Sequence, residues 1–107
     1  MDPGERAELL REIKGRLQTA FGERLRGVVL YGSEARGEAT EDSDIDVLML
    51  LEGPVDAGED INTGVDAVYP LVLRVGRPIH TFPVDVTGYE AGVMALYREA
   101  RKEGIRA

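Results

Sequence analysis

The sequence predicts an α/β fold of the two-layer α+β kind, and three observations carry that prediction. The chain has 107 residues, the length of one domain. Its apolar fraction of 43% and charged fraction of 31% suit a chain that folds around its own core. Its apolar residues recur at helical spacing in some stretches and at strand spacing in others, in the order helix, strand, turn, strand, helix, strand, helix.

Asp2-Pro3-Gly4-Glu5 has the form of a helix start, with Asp2 as the cap and Pro3 in the first turn. Leu9, Leu10, Ile13, Leu17 and Phe21 follow at helical spacing and Gly22 is a stop, so a helix is expected over 3–21. Gly27-Val28-Val29-Leu30-Tyr31 is a short β-forming run that ends at Gly32 and reads as a buried strand, with Tyr31 in the core. Ser33 to Gly37 reads as a tight turn that opens one helical turn, and Glu38 to Ser43 as a loop. Asp44 to Leu51 reads as a second strand. Alternation puts Ile45, Val47 and Met49 on one face and Asp44, Asp46 and Leu48 on the other.

Gly53-Pro54 marks a loop. Ile61, Val65, Val68, Val72 and Val75 predict a helix over 58–75, with Asp60 and Asp66 facing away and a bend or restart at Pro70. Pro78 to Val84 predicts a third strand whose Pro83 suggests an edge or an end. Thr87-Gly88-Tyr89-Glu90 fits a capping box ahead of a last helix over 93–102, stopped by Gly104.

Composition removes several function classes. With Cys 0 there is no disulfide framework, thiol nucleophile or cysteine zinc site, and His 1 excludes a multi-histidine site built by one chain. No apolar run has membrane-spanning length and no signal-peptide pattern opens the chain, so a cytoplasmic protein is expected. The net charge of −7 argues against gripping duplex nucleic acid through phosphate contacts. The charge is uneven: residues 28–66 hold eleven acidic groups and Arg36 as their only base. Such a cluster is a solvated face or a divalent-cation site.

The informative stretch is Gly32-Ser33-Glu34-Ala35-Arg36-Gly37 followed by Ser43-Asp44-Ile45-Asp46. Gly32 permits a sharp turn and close approach to a ligand. Ser33 offers a hydroxyl and an N–H where phosphate can sit. Arg36 can contact phosphate oxygens or lock the loop through a carboxylate. Glu38 stands where a Walker A loop needs lysine, and the second glycine of G-x-G-x-x-G is missing. Asp44 and Asp46 lie on one face, about 7 Å apart along the strand. Two such carboxylates suit Mg²⁺ held between protein and triphosphate. A phosphatase of the haloacid-dehalogenase type also uses Asp-x-Asp, but there the acids follow an apolar strand, whereas here they precede one.

Gly32-Ser33, ten residues, then Asp44-Ile45-Asp46 resembles the signature of the DNA-polymerase-β-like nucleotidyltransferase superfamily. The fuller Gly-Ser-x-Ala-Arg-Gly and Ser-Asp-Ile-Asp resemble its minimal nucleotidyltransferases, single-domain proteins often paired with a HEPN-domain toxin. The resemblance implies a short mixed sheet of three to four strands with helices packed on one face, over residues 1–107 as one domain. It implies that Gly32, Ser33, Arg36, Gly37 and Ser43 serve the nucleotide, and that Asp44 and Asp46 bind Mg²⁺, with Mn²⁺ as a substitute. ATP or another NTP would be the substrate.

In the family a third carboxylate stands on the next strand. Here His80 falls near that place. Asp85 lies five residues later, on the opposite face of a regular strand, so it reaches the site only through a kink near Pro83. The resemblance therefore leaves three readings. The first is transfer of AMP from ATP to a hydroxyl of a partner protein, as the antitoxin of a HEPN pair in a hetero-oligomer or as a homodimer. The second is an inactive nucleotide-binding antitoxin that neutralises a HEPN ribonuclease by contact. The third is a nucleotidyltransferase for small molecules such as antibiotics.

Overall fold

The computed structural model describes all of residues 1–107. Helix α1 spans Pro3–Phe21, and the Asp2 carboxylate accepts from the Glu5 N–H at 2.8 Å, as the cap sequence predicts. A 3-10 turn over Gly22–Arg24 leads into β1, Leu25–Tyr31. The strand begins two residues earlier than its apolar run because a register irregularity between Leu25 and Gly27 absorbs Arg26. Helix α2 is the single turn Ser33–Arg36. Strand β2 is Ile45–Leu51, α3 is Ala57–Val75 and β3 is Ile79–Asp85. Two short helices, α4 at Val86–Ala91 and α5 at Ala95–Glu103, precede β4, the two residues Ile105–Arg106.

The strands form one mixed sheet in the order β3-β2-β1-β4. β1 is antiparallel to β2 and to β4, while β2 runs parallel to β3. The α3 crossover is what permits that parallel pair. β2 is interior, and every residue in it except Asp46 is buried.

Alternation divides the sheet's side chains between two cores. Val28, Leu30, Ile45, Val47, Met49, Leu51 and Ile79 pack under α1 and α3. Val29, Leu48, Leu50 and Val84 face the other way and meet Tyr89 of α4 and Ala100 of α5. The two long helices thus share one face, but the expectation of helices on one face alone is corrected, because α4 and α5 pack on the other. The two short ones cover only part of the opposite face and leave the end that carries Asp44 and Asp46 open. No helix is long and apolar enough to cross a membrane.

Four local expectations are corrected. α3 runs unbroken through Pro70, whose ring lies on the exposed side. Asp60 does not face away: it is 4% exposed, and Arg24 donates to its two carboxylate oxygens at 3.1 and 3.0 Å. That guanidinium holds the Asp60 carboxyl below its usual range. Asp85, not the capping box, starts the helix after β3, because its carboxylate accepts from the Thr87 N–H at 2.9 Å. The last helix begins at Ala95 rather than Val93, because Gly92 at φ +65° ends the separate helix α4 and residues 93–94 connect the two.

Candidate functional site

The phosphate-turn motif and the carboxylate motif meet across the β1–β2 pair. Tyr31 at the end of β1 is the register partner of Asp46 at the start of β2. The next residue, Gly32, has φ +76°, and a Cβ built on it would stand 3.1 Å from the Asp46 carboxylate oxygen. Glycine is required there twice, for its backbone angle and for the approach of the acid. Gly37 closes the turn at φ +74°, the left-handed end of α2.

The strand alternation read from sequence holds: Asp46, Leu48 and Leu50 share the face away from α1 and α3. The parallel neighbour β3 sets His80 beside Asp46 and Phe82 beside Leu48. His80 Nε2 lies 3.0 Å from Asp44 Oδ2. Its ring stacks on Phe82 with centroids 6.2 Å apart, and Phe82 meets Tyr31 edge-on at 6.5 Å. Tyr31 is therefore only half-buried, on the site face, where it forms the floor with Phe82. Phe82 was not singled out by sequence reasoning; its alternation with His80 was the available signal.

Partial burial pushes the Asp46 carboxyl above the usual aspartate value; nearby His80 acts against this shift and Asp44 adds to it. Burial and then the Asp46 charge likewise raise the Tyr31 phenol. A group held at this cost in its ionised form suits a cation. The donor set, two carboxylates and no third, suits Mg²⁺, which keeps waters and substrate phosphates as its other ligands.

Of the other expected site residues, Asp85 lies elsewhere, and Ser43 and Arg36 make contacts within the chain. Asp85 pairs with Leu51, five positions along β3 from His80, or about 16 Å. It shares the α1/α3 parity and caps α4, so no kink brings it to Asp44 and Asp46. Ser43 Oγ accepts from the Thr40 N–H at 2.9 Å and closes the 40–43 loop, which gives it a structural task. Arg36 is exposed, with Nε 3.2 Å from Glu38 and Nη1 3.8 Å from Glu103, so it locks the loop. Beside it a cleft of about 300 Å³ runs from Tyr31 and Gly32 to Leu96, Glu99 and Glu103 of α5. The largest cleft, about 810 Å³, lies under loop 39–42 and is bordered by Arg74 and Arg77, but neither Asp44 nor Asp46 lines it.

Glu34 and Arg77 were missed. Both are buried, and Arg77 Nη1 donates to Glu34 Oε1 at 2.6 Å. Arg77 Nε donates to the Ser43 carbonyl at 2.8 Å, and Arg6 Nη1 to the Glu34 carbonyl at 3.0 Å.

A profile of the nucleotidyltransferase domain matches residues 10–94. The chain is 42% identical over 45 residues to "Putative protein adenylyltransferase MJ0141" of Methanocaldococcus jannaschii, covering 42% of this chain and 46% of that protein. It is 33% identical over 65 residues to "Putative protein adenylyltransferase MJ0604" of the same organism, covering 61% of this chain and 65% of that protein. The matches therefore span less than two thirds of either relative's length.

Among solved structures, a toxin–antitoxin crystal structure with AMP-PNP aligns with TM-score 0.66 and 16% identity, over 91% of this chain and 70% of that one. A "putative minimal nucleotidyltransferase" aligns with TM-score 0.62 and 23% identity, over 98% of this chain and 95% of that one. These two share the fold. With the profile covering the phosphate turn, the carboxylate pair and all three long strands, the chain belongs to the nucleotidyltransferase domain family.

Proposed function

We propose that the chain transfers a nucleoside monophosphate, AMP from ATP, to a hydroxyl of a partner protein, and that it works as the antitoxin of a HEPN pair. The observation that carries this reading is the approach of Gly32 to the Asp46 carboxylate, with Asp44 and His80 on the same open face. The phosphate turn and the acids are contiguous, as a triphosphate and its cation require. Asp44 and Asp46 would hold Mg²⁺, which supplies charge neutralisation on the phosphates. Gly32 and Ser33 hold the outer phosphates. The acceptor oxygen bonds to the α-phosphorus, the α–β anhydride breaks and pyrophosphate leaves. His80, exposed in the position where the family carries an acid, takes the hydroxyl proton. The curated relatives' names support protein as the acceptor class, and the fold shared with a toxin–antitoxin structure supports a partner toxin. A chain without cysteine that uses ATP suits the cytoplasm.

The test is incubation with ATP, Mg²⁺ and the product of the neighbouring gene, read by mass spectrometry. A gain of one AMP that disappears in Asp44→Asn is expected. Tight binding with no adduct, unchanged by that substitution, would instead establish a contact antitoxin. One observation favours this second reading: Asp85 is remote, so no third carboxylate joins the pair.

A further inference from the structure

We propose that Arg77 is a positioning residue that holds the phosphate turn and the carboxylate pair in fixed relation. The proposal rests on the nucleotide–Mg²⁺ reading above. Arg77 is 7% exposed and sits between α3 and β3. Two sides of its guanidinium serve two separate segments: Nε donates to the carbonyl of Ser43, the residue before Asp44, and Nη1 donates to the side chain of Glu34, the residue after Ser33. The following residue, Pro78, accepts the Ile45 N–H on its carbonyl at 2.8 Å, so the same stretch also holds the residue between the two acids. From the far side, Arg6 fixes the Glu34 carbonyl.

The chemistry favours geometry over stability as the reason for this arrangement. A buried ion pair gains little net stability over apolar residues of equal volume, because both charges lose water. Arg77 Nη2 is moreover buried with no partner, a further cost to the fold. What arginine supplies is a planar fork whose donors keep a fixed angle, so that two loops bonded to it keep a fixed separation. Lysine keeps the charge and loses the fork. Arg77 thus acts on the carboxylate pair and the turn only through Ser43 and Glu34.

The experiment is calorimetric titration of the protein with AMP-PNP, with and without Mg²⁺. In the wild type, Mg²⁺ should tighten AMP-PNP binding. In Arg77→Lys, binding without Mg²⁺ should stay within about twofold, while the gain from Mg²⁺ should fall about ten- to hundredfold, as for other residues that orient metal ligands. A folded Arg77→Lys variant with the full Mg²⁺ gain overturns the proposal. If Arg77→Lys does not fold, Glu34→Gln, which leaves the Ser43 bond in place, is measured in the same way, and a full gain there overturns it. Failure of both variants to fold would make the pair a stability element and also overturn it. A wild type whose AMP-PNP binding ignores Mg²⁺ would fail the nucleotidyltransferase reading itself, and the proposal with it.

Discussion

His80 Nε2 lies 3.0 Å from Asp44 Oδ2 while His80 pairs in register with Asp46, so one imidazole faces both acids from the neighbouring strand. It occupies the β3 position from which a third carboxylate would join Asp44 and Asp46. Substituting His80→Asp should therefore tighten Mg²⁺ binding, by about tenfold for one added hard oxygen ligand. His80→Ala should leave metal affinity within about twofold, since imidazole is a poor Mg²⁺ ligand. Isothermal titration with MgCl₂ distinguishes the two. Equal affinity in both variants would show that β3 does not face the metal.

Gly32→Ala tests the contact between the turn and the acid. Its φ of +76° with ψ of −154° is a region essentially reserved for glycine, so alanine costs about 1–3 kcal/mol in strain. The new Cβ would also stand 3.1 Å from Asp46 Oδ2 and displace it. The expected result is a Tm lower by several degrees together with loss of Mg²⁺-dependent AMP-PNP binding. Gly37→Ala is the control: it has φ +74° but open space around its Cβ, so it should lower Tm while keeping more of the binding.

The parts of this architecture that were legible in the sequence are those written in short spans. The α1 cap needs only Asp2, Pro3 and Glu5, and the site face of β2 follows from alternation of Asp46, Leu48 and Leu50. Interactions joining distant segments were not legible. Glu34 and Arg77 are 43 residues apart, and Arg24 and Asp60 are 36 apart. In sequence each of these charges looks like part of a solvated surface, because only the packed sheet brings the partners together. β4 is too short for any periodicity to show. Asp85 misled because its strand position was read without the helix it begins, for which its carboxylate is the cap.

The Arg24–Asp60 pair gives a pH signature. The folded carboxyl titrates below its ordinary value, chiefly because Arg24 donates to it. The stability it contributes is therefore fully present above about 3.8 and is lost as pH falls through the lower folded value. At neutral pH, Asp60→Asn should cost about 1–3 kcal/mol, because a buried acceptor and the partner of Arg24 are lost together. Urea unfolding as a function of pH checks this: the gap between wild type and variant should be constant from neutrality to about pH 4.5, then narrow toward pH 2. A gap independent of pH would mean that the pair acts through packing alone.

Asp46 should behave in the opposite sense. Burial raises its folded pKa above the ordinary 3.8, so the ionised form is less favourable in the fold than in the unfolded chain. That penalty is absent at pH well below 3.8, grows through the interval up to the raised value, and is complete above it. Without metal, Asp46→Asn should thus raise Tm at pH 7, by a difference that shrinks on acidification. Mg²⁺ should reverse the order: a cation on the ionised carboxylate stabilises the wild type by mass action and leaves the variant unchanged. Scanning calorimetry of both proteins at pH 7 and pH 3.5, with and without MgCl₂, reads all four cases. A variant less stable than metal-free wild type at neutral pH would mean that Asp46 serves the fold. A more stable variant would mean that the sheet carries an acid it is better off without, and a task for that acid must then be sought in the cation and the phosphates it faces.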